Sequence, residues 1–267
     1  VLGSIMRAFA ASDHSPMSAK SYMPPAPLDA SHLDLLAKAD SPTVANVIEL
    51  FDVQSRVAGY SNATLKAVYP DLPPAVGYAV TATFRSAYPA STQDGYGGMP
   101  QLIEDALALP APRIIVFQDL DEPPVSATYG EVMATTFQAF GFAGLVTSGA
   151  ARDIEQVRAL KFPCWASGVI VSHGYNHFLA SGVPVNVGGL LVKPGDLIHA
   201  DANGIVNIPQ TIARGVAELC QPFMQAEQIV LDYLHRPNAT LAGYAQAQAQ
   251  MRDQMTALRT RAKSYLS

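Results

Sequence analysis

Two short clusters in this chain hold residues whose types could do chemistry. Arg152-Asp153 is one, and Gly130-Glu131-Val132-Met133 is the other. A guanidinium stays charged and presents a fork of donors, which suits it to a developing oxyanion. A single carboxylate with water around it suits Mg²⁺, which gives up few of its waters. Mn²⁺ accepts the same oxygen ligands. The run Gly130 to Met133 reads as a helix start, whose free N–H groups can hold a carboxylate. Gly130 lets a ligand approach closely, and Glu131 sits where the helix dipole favours an acid. Each residue has a plainer role. Asp153 can cap the helix that follows it, Arg152 can pair with Glu155 on the surface, and any helix begins with free N–H groups.

The two clusters sit at opposite ends of one helix–strand unit. Its helix runs from Gly130 to Gly141, with Val132, Met133, Ala134, Phe137 and Ala139 available to a core and Gly141 ending it. Ala143 to Val146 is a short buried strand stopping at Ser148-Gly149, and a helix follows Arg152-Asp153 to about Leu160. Upstream, Ser31 to Lys38 is a short helix. Ser41-Pro42 starts another, with Ser41 as cap and Val44, Val47, Ile48 and Phe51 at helical spacing. Gly77–Arg85 and Arg113–Leu120 are strands, separated by a turn-rich loop over Tyr88–Gly98 and a helix over Met99–Leu109. Asp119, Asp121 and Glu122 form an acidic loop. Downstream, Phe162–Gly168 is a strand and Val183–Pro209 is β-rich. That section holds a turn at Lys193-Pro194-Gly195-Asp196 and a strong hairpin signal at Asn203-Gly204. From Thr211 the pattern is helical, broken at Arg236-Pro237-Asn238. Helices alternating with short strands, then a β-rich section, predict stacked layers rather than an open doubly wound sheet.

The remaining candidates are weaker. His173, Tyr175, Asn176 and His177 lie in a loop that Gly174 keeps from being a zinc-binding helix, so a substrate-shaping loop is the better reading. Ser148 lacks a Gly-x-Ser-x-Gly elbow and reads as a turn residue. Lys161 and Lys193 are unpersuasive as Schiff-base lysines. A content of 49% hydrophobic and 15% charged residues in 267 describes a globular chain with a good core, and a net charge of -5 argues against a nucleic-acid surface. The apolar runs are too short to span a bilayer. Two cysteines, Cys164 and Cys220, make no disulfide framework and fit reduced thiols in a cytoplasm.

The chain resembles the family that joins the RraA regulators of ribonuclease activity to the class II 4-hydroxy-4-methyl-2-oxoglutarate aldolases. Gly130-Glu131, then the strand after Gly141 and Arg152-Asp153 carry the likeness, with Glu131 and Arg152 21 residues apart. It continues through Phe162-Pro163-Cys164-Trp165-Ala166, Val183-Pro184-Val185, Gly188-Gly189-Leu190-Leu191-Val192 and Asp201-Ala202-Asn203-Gly204-Ile205-Val206. The resemblance implies an α/β layered α/β/β swivelling fold over residues 31–236; the Ser-, Pro-, Ala- and Met-rich start reads as an extended N-terminal arm over 1–30, and the helical pattern at the end as a C-terminal extension over 237–267. It implies a homotrimer or homohexamer; the cysteines, charge and apolar runs add the expectation of a cytoplasmic protein without nucleic-acid or membrane partners. It implies a lyase with Mg²⁺ or Mn²⁺ at Asp153, taking a small 2-oxo acid substrate that contains a pyruvyl group. Arg152 would contact the keto oxygen, the amides of Gly130, Glu131, Val132 and Met133 the carboxylate, and Glu131 a proton-carrying water. Where the family often has Asp, Glu131 is one methylene longer. Glu227 is a candidate to reach a neighbouring subunit's site. The alternative is a protein inhibitor of a ribonuclease E-type enzyme. A methyltransferase is rejected, because no Gly-x-Gly-x-Gly loop follows a strand.

Overall fold

A computed structural model describes residues 26–89 and 98–266. Most of the arm expected over 1–30, and most of the loop expected over Tyr88–Gly98, lie outside the described residues. The strands are β1 (Lys66–Ala67), β2 (Ala75–Arg85), β3 (Arg113–Asp119), β4 (Ala127–Tyr129), β5 (Phe142–Thr147), β6 (Ala150–Ala151), β7 (Cys164–Ala166), β8 (Gly168–Val169), β9 (His177–Ser181), β10 (Val185–Val187), β11 (Leu190–Val192), β12 (Leu197–Asp201) and β13 (Gly204–Ile208). The helices are α1 (Ala30–Ala37), α2 (Ser41–Phe51), α3 (Met99–Leu107), α4 (Glu131–Ala139), α5 (Ile154–Ala159), α6 (Ala213–Leu234) and α7 (Leu241–Lys263).

The main sheet has the order β1-β7-β5-β3-β2-β12-β13, with β9 also on β2. Strands β2, β3, β5 and β7 run parallel, each joined to the next through a helix, as parallel pairing requires. Alternation along each strand sorts side chains to two faces. Val80, Ile115, Phe117 and Leu145 pack under α3, α4 and α5. Ala79, Ile114, Val116 and Val146 pack on the opposite face against the β10–β11 hairpin. A third cluster joins α1, α2, α6 and the end of α7 to β12 and β13. The layered arrangement of mixed strands and helices is the one expected. No helix among the described residues is long and apolar enough to cross a membrane.

Local details differ from expectation. The cap of α2 is Asp40, whose carboxylate accepts from Thr43 N–H at 2.8 Å. Ser41 instead donates its N–H to Asp201 at 2.8 Å and pairs its hydroxyl with His199 Nδ1 at 2.9 Å, so it joins α2 to β12. The segment Phe162–Gly168 divides at Ser167 into β7, in the main sheet, and β8, in a separate parallel sheet of order β4-β6-β8. Val132 and Ala139 face solvent, Val132 being 81% exposed, whereas Met133, Ala134 and Phe137 hold the core side of α4 as expected. Cys164 and Cys220 are both free and buried.

Candidate active site

The small β4-β6-β8 sheet does the positioning. Strand β4 ends at Tyr129 and delivers Gly130-Glu131 to the start of α4. Strand β6 runs parallel to it and delivers Arg152-Asp153 to the start of α5. The link between the two is short, because Arg152 N–H donates to Tyr129 O at 3.1 Å. The two clusters separated in sequence by a helix and a strand therefore meet.

Asp153 occupies the capping position of α5 but does not cap it. Its backbone is left-handed, φ 55° and ψ 45°, a conformation Asp tolerates better than most residues. That twist turns the carboxylate toward α4, where Oδ2 accepts the Glu131 N–H at 2.9 Å. Arg152 Nε lies 3.7 Å from the same oxygen, and both side chains remain about one-third exposed, 32% and 35%. The aspartate thus takes the first free amide of the helix that the sequence assigned to a ligand. The amides of Val132 and Met133 follow it in the same turn, where a helix has no internal acceptor for them. Glu131 is exposed beside them. Gly130 makes the convergence possible. A Cβ there would overlap Asp153 Oδ2 and come within 2.9 Å of Arg152 Nε.

Asp153 is a single carboxylate here, and among the described residues no group of three His, Cys, Asp or Glu side chains could hold a metal. That donor set does not fit zinc, which takes three or four protein ligands. It fits a hard cation that keeps most of its waters, as Mg²⁺ does.

The other predicted residues lie elsewhere. Glu227 is half-buried on α6, its carboxyl held above the usual range by burial and then by Asp40 of the α1–α2 junction, so within one chain it does not join Arg152 and Asp153. His173 Nδ1 bonds Gly174 O at 2.8 Å and His177 Nδ1 bonds Tyr175 O at 2.7 Å. A carbonyl only accepts, so both rings carry hydrogen on Nδ1. Ser148 is a turn residue whose hydroxyl accepts from Asp119 N–H at 2.9 Å, and Lys193 is exposed in its turn. A cavity of about 610 Å³ bordered by Tyr78, Lys193, Asp196 and Gln210 contains none of the site residues.

Sequence reasoning missed a buried acid packed under Gly149, three residues before Arg152. Asp119, at the end of β3, is only 8% exposed. Its Oδ1 accepts from Asp121 N–H at 2.9 Å, while its Oδ2 has no hydrogen-bond partner among the described residues. Burial raises its pKa to about 6; Asp121 pushes in the same direction, and the Asp121 N–H and the Arg85 cation pull it down. The proton is therefore held more tightly in the folded chain than in the unfolded one. Asp119 favours folding most at low pH, and that contribution is lost as pH rises from about 4 to about 6. Asp119→Asn is expected to remove this dependence and to stabilise the protein at pH 7 by on the order of 2 kcal/mol. Urea midpoints of both proteins at pH 4 and pH 7 measure it, and parallel pH trends would refute it. The available signal was an acid ending an otherwise apolar strand.

A family model described as RraA-like, Aldolase/RraA, matches residues 44–207. A Halalkalibacterium halodurans protein named "Putative 4-hydroxy-4-methyl-2-oxoglutarate aldolase" is 30% identical over 123 residues, covering 46% of this chain and 59% of that protein. A crystal structure of a Pseudomonas syringae protein superposes with a TM-score of 0.67 at 22% identity, over 84% of this chain and 95% of that one, a likeness of fold alone. Streptomyces coelicolor RraAS2, described as an unusual member of the RNase ES inhibitor RraA protein family, gives a TM-score of 0.60 at 25% identity, over 76% of this chain and 96% of that one.

Proposed function

Because this chain belongs to the RraA-like family of aldolases and RraA proteins, we propose that it is a divalent-metal-dependent lyase that cleaves a 4-hydroxy-2-oxo acid to pyruvate and a second carbonyl compound. The observation that carries this is the meeting of Arg152, Asp153 and the α4 N-terminus around Gly130, which has no side chain to fill the space.

Each residue has a task in that reaction. The amides of Val132 and Met133 receive the substrate carboxylate. The Arg152 guanidinium donates to the keto oxygen, where negative charge grows as the C3–C4 bond breaks. Glu131 holds a water that takes the proton of the 4-hydroxyl. The electrons of the O–H bond form the new carbonyl, those of C3–C4 pass to the pyruvate enolate, and the same water returns a proton to C3. Asp153 is the residue to hold Mg²⁺ or Mn²⁺, which when bound supplies a Lewis-acid charge at the carbonyl end of the substrate. Oxaloacetate decarboxylation leaves the same enolate, so the site has the groups for that reaction too. Glu227 contributes, in this reading, only across a subunit boundary of a homotrimer or homohexamer, and the setting is cytoplasmic.

Purified protein with Mg²⁺ or Mn²⁺ and oxaloacetate is expected to release pyruvate, and chelation by EDTA to stop it. No pyruvate from oxaloacetate or from any 4-hydroxy-2-oxo acid would end the lyase reading. The likeness to RraAS2 favours a second reading, a protein inhibitor of a ribonuclease E-type enzyme. Helices α6 and α7 lie beyond the stretch matched by the family model, which separates this chain from a compact regulator. A pull-down with such a ribonuclease distinguishes the two.

A further inference from the structure

We propose that Asp119 is a positioning residue, which with the hydroxyls of Thr128 and Thr147 fixes the turn at Gly149 and so sets Arg152-Asp153 against Gly130-Glu131. The activity readout rests on the lyase reading; the placement itself does not.

Both halves of the site leave the protein interior beside this cluster. Thr128 is on β4, two residues before Gly130, and Gly149 precedes β6, three residues before Arg152. Thr147 ties them, because its Oγ1 accepts the Gly149 N–H at 3.0 Å and lies 3.0 Å from Thr128 Oγ1. Thr128 and Thr147 are fully buried. Gly149 packs directly on the acid. A Cβ there would overlap Thr128 Oγ1 and come within 2.6 Å of Asp119 Oδ2 and 3.0 Å of Asp119 Cβ. The turn is held from its other side too, since Ser167 donates its N–H and hydroxyl to Gly149 O at 2.9 and 2.8 Å. Asp119 is itself fixed through Ser148 Oγ, which accepts its N–H, and through the Asp121 N–H on Oδ1.

A buried carboxyl with one oxygen unpaired costs folding stability. An apolar side chain of the same size would avoid that cost but could not accept the Asp121 N–H. The raised pKa of Asp119 is the electrostatic mark of the same burial. Such a cost beside the turn that leads to a candidate site is where local stability and function can pull apart. The cluster touches no reacting atom, so its influence runs through the two strands.

Asp119→Ala and Asp119→Asn separate shape from charge. The asparagine keeps the bulk under Gly149 and the acceptor for Asp121 N–H; the alanine keeps neither. Asp119→Ala is expected to lower kcat/KM for oxaloacetate about 10–100-fold, and to speed hydrogen exchange at the Glu131 amide, which Asp153 otherwise protects. Asp119→Asn is expected to restore both. Wild-type rates and exchange in Asp119→Ala would overturn the proposal, as would an Asp119→Asn as impaired as the alanine. Should Asp119→Ala fail to fold, Thr128→Val keeps the volume and removes the hydroxyl; faster Glu131 exchange supports the proposal and wild-type exchange overturns it. If the wild-type protein releases no pyruvate, the lyase reading falls while the exchange comparison still decides this one.

Discussion

Arg152→Ala is expected to lower pyruvate release by at least about 10²–10³-fold, the cost of removing one donor from a developing oxyanion. The fold should be nearly indifferent. The guanidinium is about one-third exposed, and its ion pair with Asp153 is 3.7 Å long; a pair of that kind contributes only about 0–1 kcal/mol. Activity and melting temperature should therefore separate cleanly. Arg152→Lys keeps the charge but loses the planar fork, so it should recover only part of the rate. Asp153 needs a gentler change. Alanine would be strained at φ 55° and would strip the acceptor from Glu131 N–H. Asp153→Asn tolerates the left-handed backbone and keeps an acceptor oxygen. It removes only the charge that a divalent cation requires. Its activity should fall as far as that of Arg152→Ala, with a wild-type melting temperature. Steady-state turnover at saturating Mg²⁺ measures both. Wild-type turnover in Asp153→Asn would remove the carboxylate from the chemistry.

Much of this frame could be read from residue order, for reasons that mark where such reading stops. The run Ile114-Ile115-Val116-Phe117 is buried on both faces, which is what a parallel strand under helices requires. Gly141, at φ 77°, ends α4 as a glycine at that position should. Ala202 and Asn203 link β12 to β13 and Gly204 opens β13, a hairpin in register from Leu197↔Ile208 to Asp201↔Gly204. The β4-β6-β8 sheet was not legible. Its strands are two or three residues long, too short for a period of two to show, and rich in alanine and glycine. Yet this sheet is what brings Arg152 to Tyr129. That the two clusters act together was implied by the family resemblance; the means of pairing came only from the structure. The same holds for Asp153. Its residue type gave a cap or a ligand, but its left-handed backbone aims it at α4 instead of α5. Val132 shows the opposite error, a hydrophobic residue at helical spacing that the first turn of α4 turns outward.

Gly130→Ala should be the most damaging single methyl group in the protein for function, and among the milder for folding. The backbone of Gly130 is extended, φ -147° and ψ -162°, which alanine adopts freely. Alanine also narrows the unfolded ensemble, which favours the native state slightly. The cost falls on the neighbours. The new Cβ would overlap Asp153 Oδ2 and press on Arg152 Nε and Cγ, at 2.9 and 3.1 Å. Those atoms belong to partly exposed side chains, so they can yield without moving the strands that carry them. In yielding, Asp153 gives up the Glu131 N–H, and the guanidinium loses its place beside the helix end. Misplacement by about 1 Å is enough to cost about 10²-fold in rate, and here two groups are displaced at once. A loss of more than about 10²-fold in kcat/KM is expected, with a melting temperature within a few degrees of wild type. Gly141→Ala supplies the reverse case. Its φ of 77° strains alanine, but nothing among the described residues lies within 4 Å of the added carbon. That variant should lose on the order of 1 kcal/mol of stability and keep its turnover. If Gly130→Ala retained wild-type kcat/KM, the space beside Arg152 and Asp153 would not be where substrate binds.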